Sequence, residues 1–288
     1  MKNYFYFTIF FMLHFVILFF LISIKMNTTI LLKNSQSSAT ICKGELISFI
    51  INDEELIHSK DSPGWNASDI EMFPIIGPTK LNDFSVDTPN GVAKQDQHGL
   101  LRELEYKLIF SDKISAIFEK KYKKNTLIKN SKFPEKSTQE NLFWTYDFVF
   151  RKIISLEKSA IKIDFEIISD KKMPYMFGYH PSFKLAGFGT EIIKTIDIEI
   201  SLSEILNVGS AAYKVLNTNE INLIKKEGSS IKISTKNFDN FMLWTPVKNM
   251  VCIEPITQYP LEKDSENSIK NSRISTGKDL FSVTISTL

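Results

Sequence analysis

The sequence predicts an all-β protein, a sandwich or barrel built largely from antiparallel sheets. Three observations point there. The 288 residues include 23 Phe, 9 Tyr and 3 Trp with many Ile, and aromatic and β-branched side chains pack well on a pleated surface. From about residue 28 onward the apolar residues recur mainly with period two. Short polar turn clusters separate these runs, as in a chain of many strands joined by tight connections.

The elements follow in order. WTYDFVF (144–150) reads as a strand, and KSAIKIDFEII sets Ile161, Ile163, Phe165 and Ile167 against Lys162, Asp164 and Glu166. IKTIDIEISLS repeats the pattern with Ile196, Ile198, Ile200 and Leu202 against Asp197, Glu199 and Ser201, and reads as one half-buried strand. SIKIST (230–235) and the closing FSVTISTL complete the set. Turns fall at Asp61-Ser62-Pro63-Gly64, Asn82-Asp83, Pro89-Asn90-Gly91, Gly187-Phe188-Gly189 and Asn217 to Asn219. Helix is confined to LSEILN (202–207), with Ser203 as the expected N-cap. There is no βα alternation, glycine-rich phosphate loop, repeat or linker, so residues 26–288 are expected to form one β domain.

With 35 basic and 33 acidic residues spread along the chain, the sequence carries no electrostatic footprint for nucleic acid. The basic run Lys120 to Lys124 is read as solvated strand ends or turns. Cys42 and Cys252 are too few for a disulfide framework and are expected to be reduced, buried thiols, the alternative being a single bridge between them. Residues 4–24, YFYFTIFFMLHFVILFFLISI, match the roughly 20 apolar residues that span a bilayer. They read as a membrane anchor or signal segment, although no small-residue cleavage pattern follows. The alternative is that translation starts at Met26 upstream of a cytoplasmic protein, residues 1–25 being read-through. Contact with a membrane is expected only if that segment is a real anchor.

Three histidines lie beyond this run. His58 in EELIHSK reads as an exposed strand-end residue. His98 precedes Gly99 in QDQHGLLRE, and His180 lies in MPYMFGYHPSFKL, where Pro181 biases it to extended geometry. Each is either a hydrogen-bonded structural group or a working imidazole. HxH, HExxH and CxxC spacings are absent, as is GxSxG, so zinc and serine-hydrolase chemistry have no support. Acid–base work without a metal is what remains for two histidines, and it needs a carboxylate. Glu254, after the apolar run Met250 to Ile253 and before Pro255, would be a partly desolvated acid with a raised pKa, or else a strand-end Glu in solvent.

Six blocks then occur in order: INDEELI (51–57), FPIIG (73–77), QHGLLRE (97–103), MPYMFGYHPSF (173–183), FDNFMLWTP (238–246) and VCIEP (251–255). Together they resemble the aldose 1-epimerases, or galactose mutarotases, and within them the LacX-like branch. The resemblance runs from about residue 28 to the carboxyl terminus. It implies a galactose mutarotase-like β-supersandwich, an isomerase acting on a hexose, and no metal or organic cofactor. By block position, His180 resembles the family's proton donor, Glu254 its base, and His98 the group near the ring oxygen.

The sequence departs from the family where an Arg usually follows FPxxG. Here Pro78, Thr79 and Lys80 stand instead, so a bidentate donor to sugar hydroxyls is lost. Lys80 is a partial substitute, and Arg102 matches the Arg of the LacX branch. Asp239 corresponds either to a substrate-binding Asp or to a turn residue, and Trp244 either stacks on a sugar face or packs in the core beside Phe241 and Leu243. Two other functions stay open at this level: an epimerase of a phosphorylated hexose using Lys80, Lys94 and Arg102, and a carbohydrate-binding domain without catalysis. Oligomeric state is not legible.

Overall fold

The computed structural model of the protein describes residues 29–260, 269 and 272–288. The apolar run 4–24 and Met26 lie outside the described residues. Among those described, no helix is long and apolar enough to cross a membrane.

Two antiparallel sheets form the body. The larger has nine strands, in the order Glu199–Ser201, Ile192–Lys194, Glu220–Ile224, Ile231–Lys236, Lys278–Thr287, Ala160–Ser169, Phe148–Leu156, Ser115–Tyr122 and Lys107–Ser111. The smaller has five: Tyr213–Leu216, Asn240–Trp244, Met250–Ile256, Gly178–Lys184 and Asp69–Met72. A four-stranded sheet over residues 29–55 and three two-stranded ribbons flank them. The expected alternation holds in Ala160–Ser169, where Ile161, Ile163, Phe165 and Ile167 are fully buried. These side chains meet the small sheet across an aromatic layer in which Phe165 contacts Phe177 and Tyr179, with ring centroids 5.2 Å apart in each pair. Edge and tilted contacts of this kind are the favoured geometry of aromatic cores.

Local chemistry shifts three of the expected elements. IKTIDIEISLS is a hairpin rather than one strand: Ile192 pairs with Ser201, and the chain reverses at Thr195, whose hydroxyl accepts from the backbone of Asp197 and Ile198, both at 3.2 Å. Ile196 at the tip is 94% exposed. The helix spans Leu202–Val208, and Ser201, not Ser203, caps it through a reciprocal capping box with Glu204. In WTYDFVF the strand begins only at Phe148, because Asp147 turns aside to accept the Lys124 N–H at 2.6 Å. Both cysteines are free, with Cys252 buried and Cys42 only half-buried.

The small sheet positions the candidate site residues. Its inner face, carrying Tyr179, looks at the nine-stranded sheet, while its outer face is covered by loops. Hence the strand Gly178–Lys184 is buried at every position but its last. Its register with Met250–Ile256 matches Gly178 to Ile256 and Ser182 to Cys252, which sets His180 directly across from Glu254 on the outer face. Between those anchor points the pairing is interrupted where Pro181 and Pro255 lack N–H groups. On the other sides, Ile70 stands opposite His180 and Met242 opposite Glu254.

Candidate active site

His180 and Glu254 form the centre. His180 Nε2 lies 3.3 Å from Glu254 Oε1, and the two side chains are 6% and 2% exposed. His180 Nδ1 is buried without a hydrogen-bond partner among the described residues. Burial pushes the Glu254 carboxyl well above the usual carboxylate range, and burial followed by the nearby His98 pushes the His180 imidazole well below the usual histidine range. Both effects favour the arrangement in which acid and imidazole are uncharged. The strand-end Glu in solvent is therefore excluded.

His98 approaches His180 edge-on, with ring centroids 5.6 Å apart. It is held by the FPIIG segment: the Ile76 carbonyl accepts from the His98 N–H at 3.1 Å and from its Nδ1 at 3.2 Å. A carbonyl only accepts, so Nδ1 carries the proton and Nε2 presents a lone pair. Burial, then the charges of Arg102 and Lys132, push the His98 imidazole down to about 3, so the ring is neutral at physiological pH. The same segment explains the following glycine. Gly99 has φ +70°, and a Cβ there would lie 2.2 Å from the Phe73 carbonyl oxygen, so only glycine lets the two blocks close on each other.

Trp244 sits on the outer face with its ring 6.3 Å from His180 in an edge arrangement, half-buried rather than in the core. The Arg102 charge bears on both His98 and His180. Two other candidates lie apart. Asp239 precedes its strand and pairs with Arg273 at 3.3 Å with its side chain 69% exposed, and Lys80 stands exposed on the 3-10 turn Lys80–Asn82. Lys94 is engaged with Asp83 at 3.0 Å.

Several features were not anticipated. Trp65, just after the Pro63-Gly64 turn, stacks on His180 with centroids 4.2 Å apart and planes 25° from parallel. His58 is not an exposed strand end. It is 1% exposed because the 58–68 loop folds back over the sheet, and its Nε2 meets the Trp65 carbonyl at 3.3 Å. Nor is Lys120 solvated: it is 5% exposed and covers the Tyr106 ring at 4.1 Å. On the inner face, Lys152 bridges the sheets, with its Nζ 2.6 Å from Asp69 and 2.8 Å from Glu71.

The chain belongs to the aldose 1-epimerase family, whose model matches residues 30–241. LacX proteins of Lactococcus lactis subsp. lactis are similar: the chromosomal form is 26% identical over 136 residues, 45% of this chain and 40% of LacX. The plasmid form is 21% identical, over 80% of this chain and 89% of LacX. Among solved structures, a galactose mutarotase-like protein from Lactobacillus casei superposes with TM-score 0.72 at 14% identity, covering 90% of this chain and all of the other. A galactose mutarotase related enzyme from Lactobacillus acidophilus gives 0.71 at 18% identity, covering 91% and 97%. The fold is thus the galactose mutarotase-like β-supersandwich, and family and fold together support a sugar epimerase.

Proposed function

We propose that the protein is a mutarotase that interconverts the α and β anomers of a free hexose, with Glu254 and His180 as the acid–base pair. The observation that carries this reading is their buried, face-to-face placement at 3.3 Å. In the ring-opening step, Glu254 carboxylate takes the proton of the C1 hydroxyl while the C1–O5 bond breaks and O5 receives the proton of the His180 imidazolium. The product is the open-chain aldehyde, with Glu254 protonated and His180 neutral. Rotation about C1–C2 and reversal of the same transfers close the ring on the other face of the carbonyl.

The pair holds the same number of protons before and after the step. Only their placement differs, and the burial of both groups favours the uncharged arrangement that accompanies the open chain. An acid and a base whose proton affinities are drawn together by their surroundings suit transfers in both directions. His98, neutral and with its Nε2 lone pair free, suits accepting a hydrogen bond from a sugar hydroxyl. It cannot donate to a ring oxygen in this tautomer, in contrast to the ring-oxygen role that the family resemblance implies. Arg102 and Trp244 would bound the sugar, while Lys80 and Asp239 are less suited by position.

A second reading, an epimerase of a phosphorylated hexose, draws on the Arg102 and Lys132 charges, which both bear on His98, but Lys132 is paired with Asp96 at 3.2 Å and Arg102 lies 3.6 Å from Glu103. Polarimetry of freshly dissolved α-D-glucose, α-D-galactose and glucose 6-phosphate separates the two. Faster relaxation of the free sugars is the expected result. Acceleration confined to the phosphate ester would favour the second reading, and sugar binding without acceleration would point to a non-catalytic domain.

A further inference from the structure

Trp65 has no part in the chemistry above, yet the loop that carries it is fastened at four points. The His58 N–H donates to the Ser182 carbonyl of the His180 strand at 3.0 Å, and the His58 ring meets the Trp65 carbonyl at 3.3 Å. The Asn249 amide donates to the Pro63 carbonyl at 2.9 Å, and the Trp65 N–H points at the Met250 sulfur, 3.3 Å away, at the head of the Glu254 strand. Gly64, at φ +131°, lets this closure form, since a Cβ there would lie 2.7 Å from that sulfur. The backbone of the loop is thus pinned to the strands of His180 and Glu254, and the indole it carries stacks on the His180 ring with planes 25° from parallel.

A flat indole has a negative face, which holds a cationic ring more strongly than a neutral one. Around His180 the other facing groups are Glu254 across the ladder, His98 and the uncharged Trp244, the Arg102 charge bears on it, and Ile70 opposite it on the third strand is uncharged. Glu254 is the one group among these that favours a protonated imidazole, and it does so only after giving up its own proton. We propose that Trp65 is a positioning residue that stabilises the protonated form of His180 by stacking, shifting the shared proton of the Glu254–His180 pair toward the imidazole. This rests on the mutarotase reading for its kinetic consequence, but not for its optical one.

The test uses indole emission, which an imidazolium in ring contact quenches. In wild-type protein, emission is expected to fall on acidification, to fall likewise in Trp244→Phe, and to lose that pH dependence in both Trp65→Phe and His180→Asn. Trp65→Ala is expected to lower kcat about fivefold with KM unchanged, with Trp65→Phe recovering part of the loss because a ring face remains. Emission from Trp65 that does not respond to pH would overturn the proposal. So would a Trp65→Ala loss confined to KM, which would make the indole a sugar contact. The emission titration needs no turnover, so it separates failure of this proposal from failure of the mutarotase reading.

Discussion

The two faces of the strand Gly178–Lys184 treat buried ionisable groups in opposite ways. On the inner face, Asp69 and Glu71 stand against Lys152 and Lys120, and Tyr179 donates to Asp69 at 2.7 Å. Burial pushes Asp69 up to about 6 and Lys120 down to about 8, but the opposed charges hold Glu71 below, and Lys152 above, their ordinary values. All four are therefore mainly charged at neutral pH, an ionic clamp between the sheets. On the outer face, one residue along, Glu254 is the one carboxylate beside His180, and burial, joined at His180 by the nearby His98, drives both toward neutrality. A buried charge persists where opposite charges surround it, and a single weak acid beside a single weak base is instead biased by burial toward the uncharged arrangement.

The largest effect is expected from Lys152→Met on the inner face. It leaves two carboxylates buried without their main counter-charge, and chemical denaturation should show a loss of about 3–5 kcal/mol. Combining it with Asp69→Asn and Glu71→Gln should recover most of that loss. If Lys152→Met alone is tolerated, the clamp is not the structural element that the geometry describes.

The outer pair should behave oppositely when neutralised. The folded-state pKa of Glu254 is raised, so its contribution to stability is full below the unfolded value and is lost as pH rises through the folded one. Glu254→Gln should therefore melt higher than wild type at alkaline pH, and a lower melting temperature there would contradict the burial argument. His98 and His180 have depressed values, so their contribution is present above about 6.5 and is lost as pH falls, for His98 down through about 3. His98→Gln should accordingly flatten the acid limb of a stability profile measured by thermal melts. The smallest effects belong to the residues off the site: Asp239→Ala and Lys80→Ala should leave kcat/KM within about twofold, as an exposed pair and a solvated lysine contribute little.

Strands of the nine-stranded sheet were legible because alternation and turn residues are local signals, whereas the site strands Gly178–Lys184 and Met250–Ile256 are buried almost throughout and carry no alternation. The pairing of His180 with Glu254 was not readable from composition or spacing, since 74 residues separate them and only register joins them; ordered sequence blocks supplied that link. Trp65 escaped notice because one aromatic after a Pro-Gly turn looks like any loop residue until the loop closes. Lys152 escaped because it lies among alternating residues, RKIISL, at a position where period two places it inward but charge suggests outward. IKTIDIEISLS misled in the other way, as its alternation is continuous through a Thr195 turn that periodicity does not register.

In the proposed mechanism Glu254 and His180 exchange protons with the anomeric centre and do not merely hold the sugar. The most direct test measures anomer interconversion by polarimetry together with sugar binding by calorimetry, in wild type, Glu254→Gln and His180→Asn. Loss of about 10²–10⁴ in kcat in each variant, with sugar binding retained, is the predicted result. Full turnover in either variant, or loss of binding in step with loss of rate, would contradict it.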